Sequence, residues 1–182
     1  MRVFLAIDIL RKNRETLLET QSKIRKAVIC GGNIRWLQVN ALHLTVVFVG
    51  ELEREGLACL ENAVATAVSG VDPFTIRFSK VECFPTSRKP RVIVLNAGKG
   101  FAEFRKLQKA VSKSLREAGV KHADPNPPHI TLARVKTGPV HIPDDFEVAP
   151  FSLGVGTIVL KKSTLLPKGA EYTTLAEFQL GI

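Results

Sequence analysis

Two stretches of this chain carry one pattern. Leu42-His43-Leu44-Thr45-Val46-Val47-Phe48 and Pro128-His129-Ile130-Thr131-Leu132-Ala133-Arg134 each read as a strand, with histidine and threonine on one face and aliphatic residues on the other. The aliphatic face can be buried in a core. The face carrying His43, Thr45, His129 and Thr131 must look into something else, and a cleft is expected. One such strand is commonly structural. Two of them, 86 residues apart and using two of only four histidines, constrain the fold far more tightly.

The flanking segments repeat as well. A buried strand is expected over 2–9, then a helix capped by Asn13 with Leu17, Leu18, Ile24 and Val28 inward, ending at Gly31-Gly32. A short strand over 34–37 precedes the His43 strand. A second helix buries Leu57, Leu60, Val64, Ala67 and Val68, and Pro73 opens an alternating strand with Phe74, Ile76 and Phe78 on one face. At Arg91 the order starts again. Arg91-Val92-Ile93-Val94-Leu95 resembles the opening strand, a helix is expected with Phe101, Phe104, Leu107, Val111 and Leu115 inward, and the His129 strand follows. Pro150-Phe151 opens a strand much as Pro73-Phe74 does. The expected fold is α+β, bilobal and duplicated, with two mainly antiparallel sheets flanking a central cleft and helices on the outer faces. No Gly/Ser-rich linker divides it, so residues 1–182 are expected to form one domain.

Composition narrows the partners. A net charge of +9 over 182 residues favours a polyanion, nucleic acid above all. No apolar run approaches the roughly 18 residues of a membrane span. An acidic residue as early as Asp8 argues against a signal peptide. Cys30, Cys59 and Cys83 are odd in number and lack metal-ligand spacing, which suggests reduced thiols in a cytoplasm. A monomer is expected.

Two histidines across a cleft form an acid/base pair that needs no metal. The pair suits in-line displacement at phosphorus: one imidazole takes a proton from the attacking oxygen while the other protonates the leaving oxygen. The hydroxyls of Thr45 and Thr131 can donate to non-bridging phosphate oxygens, and the fork of Arg134 can hold phosphate at two points. A required metal is disfavoured, since neither motif brings a second good ligand or an acidic cluster. No cofactor is expected.

The paired His43-Leu44-Thr45-Val46 and His129-Ile130-Thr131-Leu132 resemble the HxTx motifs of the 2H phosphoesterase superfamily, and the chain most resembles its RNA 2′,3′-cyclic phosphodiesterases, also called 2′-5′ RNA ligases. The resemblance includes the Arg2-to-Asp8 opening, Phe84-Pro85, Pro128 to Arg134, Leu166-Pro167, Gly169-Ala170 and Tyr172. It implies metal-independent hydrolysis of a 2′,3′-cyclic phosphate to a 2′-phosphate, on RNA ends or nucleotides. In that scheme His43 donates a proton to the departing 3′ oxygen and His129 activates water. Three alternatives stand beside it: making or reversing a 2′-5′ linkage, hydrolysing a small cyclic nucleotide, or binding RNA without turnover.

Around the motifs, Phe84 and Tyr172 are candidate base or cleft contacts, and Trp36 is a weaker stacking candidate. Arg88, Lys89, Arg91, Lys161, Lys162 and Lys168 can guide an RNA backbone or simply solvate the surface. His122 and His141 are assigned to the surface. Neither motif contains a group able to read a base edge, so little discrimination among bases is expected.

Overall fold

The computed structural model describes residues 1–143, 146–167 and 169–181; Lys168 therefore lies outside the described residues. In chain order the elements are β1 (Arg2–Asp8), α1 (Arg11–Ala27), β2 (Ile29–Cys30), β3 (Ile34–Trp36), β4 (His43–Glu51), α2 (Leu57–Ser69), β5 (Phe74–Phe84), β6 (Val92–Ala97), α3 (Phe101–Glu117), β7 (His129–Val135), β8 (Val140–His141), β9 (Phe151–Val155), β10 (Thr157–Leu166) and β11 (Gly169–Gln179). The architecture is α+β and the strand pairings are antiparallel.

Hydrogen bonds run through one sheet in the order β11-β10-β1-β4-β7-β6-β5-β9, with β3 also on β7, while β2 and β8 form a separate ribbon. The two expected sheets are thus joined. The join is narrow: β4 and β7 share one residue pair, Leu44 with Ile130. Beyond it, β3 occupies the edge of β7, pairing Ile34 with Val135 and Trp36 with Ala133. Outward from this seam lie β1, β10 and β11 on one side and β6, β5 and β9 on the other.

The sequence treats the Pro-Phe strands β5 and β9 as counterparts in opposite halves. The structure instead makes them neighbours, in register from Phe74–Val155 to Phe78–Phe151. Counted from the seam, the strand matching β5 is β10. Sheet position depends on pairing partners, which a shared Pro-Phe opening does not encode.

The helices bury the stripes their 3.6-residue period presents. Leu17 and Ile24 of α1, Leu60 and Val64 of α2, and Phe104, Leu107, Val111 and Leu115 of α3 are fully buried in one core with Leu5, Leu44, Ile93 and Ile130. A truncation such as Leu107→Ala should cost about 2–5 kcal/mol. Several local expectations need correction. Phe101, expected inward at the start of α3, is exposed. The helix α1 begins two residues before Asn13, and its N-cap position, Leu10, makes no side-chain capping bond. Asn13 is buried instead, and its Nδ2 donates to the Ser152 carbonyl at 3.0 Å, tying α1 to β9. Leu18, expected inward, is exposed because Asn13, Thr20 and Gln21 share the buried stripe with Leu17.

Candidate active site

The seam places the two motifs side by side. With Leu44 opposite Ile130 in an antiparallel pair, His43 stands across from Thr131 and Thr45 across from His129. Leu44 and Ile130 are fully buried beneath them. All four polar side chains line one cavity of about 460 Å³.

Strict alternation would then turn Phe48 and Arg134 toward the core. Bulges prevent this. In β4 the register to β1 passes from Thr45–Ala6 to Val47–Leu5, leaving Val46 unopposed. In β7 the register to β6 passes from Thr131–Val94 to Ala133–Ile93, leaving Leu132 unopposed. Each extra residue shifts the following side chains by one face. Val47 and Ala133 are therefore buried, and Phe48 and Arg134 return to the cavity. Phe48 occupies in β4 the place that Arg134 holds in β7.

A buried glutamine meets each bulge. Gln108 of α3 donates from Nε2 to the carbonyls of Val46 and Asn126, both at 2.9 Å. Gln21 of α1 donates from Nε2 to Leu132 at 2.9 Å and Leu37 at 3.0 Å. Carbonyls released by the irregular ladder are satisfied in this way.

Both motif histidines are held alike. Nδ1 of His43 donates to the Ala41 carbonyl at 2.9 Å, and Nδ1 of His129 donates to the Pro127 carbonyl at 2.8 Å. A carbonyl only accepts, so each Nδ1 carries the proton and Nε2 is left as the acceptor. His43 packs against Phe4 at 4.9 Å and edge-on to Tyr172 at 5.1 Å, between ring centroids. Burial pushes its pKa down to about 4; the Ala41 carbonyl opposes this, Lys161 adds to the lowering, and Asp8 opposes it. Asp8 lies opposite His43 in the β1–β4 register, and its Oδ1 is 2.9 Å from Nζ of the buried Lys161. That partner cancels much of the help a carboxylate would give the imidazolium.

The cavity is cationic. Arg2, Arg35 and Arg134 line it, and among the described residues no carboxylate does. Arg35 is brought there by β3, which sets it directly opposite Arg134. Gly169 lies so close that a Cβ there would stand 2.2 Å from Arg35 Nη2, and its φ of +133° is one that side-chain-bearing residues rarely adopt. Among the described residues, no three His, Cys, Asp or Glu side chains are grouped as metal ligands.

Of the residues singled out in the sequence, His43, His129, Thr45, Thr131, Arg134 and Tyr172 are brought together. Phe84 is not. It is 62 % exposed at the far end of β5, opposite Val92, with β6 standing between its strand and β7. Of the basic candidates, Lys161 is buried beneath the site and Lys162 lies outside this cavity. Trp36 sits on β3 at a second, adjoining cavity. The sequence reasoning misses Phe4, Phe48, Arg2 and Arg35. For Phe48 a signal exists, since superposing the motifs at their 86-residue spacing aligns it with Arg134.

Comparison with known proteins shows the family and the fold. A family model described as the 2′-5′ RNA ligase superfamily matches residues 35–149. A relative from Thermus thermophilus, named RNA 2′,3′-cyclic phosphodiesterase, is 32% identical over 99% of this chain and 90% of its own length. A crystal structure of a Thermus thermophilus protein shares the fold with a TM-score of 0.80 at 30% identity, covering 100% of this chain and 98% of that one. The structure of E. coli LigT complexed with phosphate matches with a TM-score of 0.76 at 26% identity, covering 98% of this chain and 96% of that one.

Proposed function

Because this chain belongs to the 2′-5′ RNA ligase superfamily, we propose that it hydrolyses 2′,3′-cyclic phosphates, on RNA ends or nucleotides, to 2′-phosphomonoesters. The observation that carries this reading is the pair of histidines side by side across the seam, each with Nδ1 tied to a carbonyl and Nε2 left to accept, in a cavity that the described residues line with arginines and no acid. Relatives bearing the name RNA 2′,3′-cyclic phosphodiesterase support it.

In the proposed reaction water attacks phosphorus opposite the 3′ oxygen. His129 Nε2 takes the water proton as the new P–O bond forms. The P–O3′ bond breaks, and His43 Nε2 supplies the proton that O3′ needs. Thr45, Thr131 and Arg134 donate to the non-bridging oxygens, where charge grows in the transition state. With its pKa pushed down to about 4 by burial, His43 is neutral at neutral pH. The phosphate anion supplies the counter-charge that burial denies its imidazolium, and a desolvated imidazolium is a strong acid toward O3′.

This reading takes the two halves as copies of one unit, each lending a His-x-Thr strand to a shared cleft. The mirrored strand order about the seam, the matched bulges and the two glutamines support the duplication. One chain supplies both histidines, so a monomer suffices. No helix among the described residues is long and apolar enough to cross a membrane, and the free Cys30, Cys59 and Cys83 suit a reducing compartment.

The test is turnover of nucleoside 2′,3′-cyclic phosphates after dialysis against EDTA, with the product isomer identified by ³¹P NMR. The 2′-phosphate should form at an undiminished rate. Loss of activity restored by Zn²⁺ or Mn²⁺, or formation of the 3′-phosphate, would contradict the scheme. A ligase would instead join an RNA end bearing the cyclic phosphate to a second RNA with a free 5′-hydroxyl, when both are supplied.

A further inference from the structure

Ile34 and Trp36 of β3 pack against the core. Alternation therefore turns Arg35 to the opposite face, and it lines the cavity of the two histidines. Its partner across the ladder, Arg134, lines the same cavity. Two arginines thus stand directly opposite each other on one face of the sheet. Like charges so placed destabilise a pair of strands. Among the described residues neither arginine has an ion pair to offset that cost. Lys161, by contrast, is given Asp8 at 2.9 Å.

Arg35 is nonetheless held in place. It is half-buried, and its guanidinium lies against the backbone of Gly169, where a Cβ would collide with Nη2. The positive φ of Gly169 demands a glycine at that point in any case, so the room for the guanidinium is built into the start of β11. A guanidinium that is bedded but not neutralised can take an anion without first breaking a charge pair.

Resting on the phosphodiesterase reading, we propose that Arg35 is a second phosphate ligand, closing with Arg134 a clamp that prefers a phosphate dianion to a monoanion. The cyclic phosphate carries one negative charge, which one arginine balances. As water attacks and His129 takes its proton, the charge on the phosphoryl oxygens approaches two. The 2′-phosphomonoester that forms is a dianion above its second pKa of about 6. The second guanidinium therefore gains most after the substrate has bound. In the transition state that gain speeds the reaction. On the product it slows release, so the clamp makes the protein sensitive to inhibition by its own 2′-phosphate.

The experiment measures turnover of adenosine 2′,3′-cyclic phosphate, and binding of adenosine 2′-monophosphate and of its phosphate methyl ester at pH 8, in the parent protein and in Arg35→Gln. At that pH the monophosphate is a dianion and the methyl ester a monoanion. Arg35→Gln should lower kcat about 10- to 100-fold, as for one lost charge-assisted hydrogen bond, with a smaller change in KM. Kd for the monophosphate should rise by a similar factor, and Kd for the methyl ester by much less. Denaturant unfolding without ligand should find Arg35→Gln no less stable than the parent, because a like-charge neighbour is removed; an arginine with only a structural role would cost stability. Unchanged kcat and Kd, equal weakening of the two ligands, or a loss of stability in Arg35→Gln overturns the clamp and leaves the phosphodiesterase reading standing. An Arg35-dependent preference for the dianion without turnover of the cyclic phosphate supports the clamp and overturns the phosphodiesterase reading instead.

Discussion

Gln21 and Gln108 hold equivalent positions, one on the helix before each His-x-Thr strand, and each donates to the bulge carbonyl of the other half's strand: Gln21 to Leu132 and Gln108 to Val46, both at 2.9 Å. The bulges turn Phe48 and Arg134 into the cavity, so these amides hold the geometry of the site from behind. Gln108→Leu should leave the buried Val46 carbonyl without this donor, at a cost of about 1–3 kcal/mol. Denaturant unfolding should show that loss, and kcat should fall more than KM rises. Gln21→Leu should act in the same direction through Arg134 but more weakly, because the Leu132 carbonyl keeps the Leu37 N–H at 3.0 Å. Full stability with full kcat in both variants would mean the bulges hold themselves.

The threonines and Arg134 are tested by substitutions that keep shape. Thr45→Val and Thr131→Val preserve the β-branch and remove the hydroxyl. Each should lower kcat by about one to three decades, as expected for a lost donor to a developing oxyanion. Arg134→Lys should also be costly, since an ammonium lacks the planar fork. Steady-state kinetics unchanged in all three variants would place the phosphate elsewhere.

Much of this was legible where period two holds. From His43 to Val46 and from His129 to Leu132, alternation assigns faces as the structure does. It fails one residue later, because a bulge leaves no mark in a run of aliphatic side chains such as Val46-Val47 or Leu132-Ala133. Arg134 is found by its charge, whereas Phe48, at the matching place, reads as core. Arg35 is illegible for another reason: its neighbour across the ladder is Arg134, 99 residues away, and non-local pairing is set by the whole sheet. Phe84 misleads because it adjoins a basic loop in sequence, while the strand order sets it apart from the histidines.

The low pKa of His43 links its burial to stability. Its folded value is near 4, against an ordinary 6.5. Above pH 6.5 the ring is neutral in both states and contributes no pH dependence. Between 6.5 and 4 only the unfolded chain takes up the proton, so stability should fall as pH is lowered through that window. The full shift corresponds to on the order of 3 kcal/mol, and solvent at the cavity edge reduces it. Denaturant unfolding of the parent and of His43→Gln at pH 7.5 and 4.5 isolates this contribution. The variant should lose less stability on acidification; equal losses would show that His43 is not held neutral by the fold.

The division of labour between the histidines is tested most directly by a substrate whose leaving group needs no proton, such as a 3′-deoxynucleoside 2′-(4-nitrophenyl phosphate). His43→Ala and His129→Ala should each remove most activity toward the cyclic phosphate. On the nitrophenyl substrate, release of nitrophenolate should be largely restored in His43→Ala and should stay low in His129→Ala. Restoration in His129→Ala alone would exchange the two roles, with the neutral ring of His43 as the base. Restoration in neither would contradict a two-histidine acid/base mechanism at this seam.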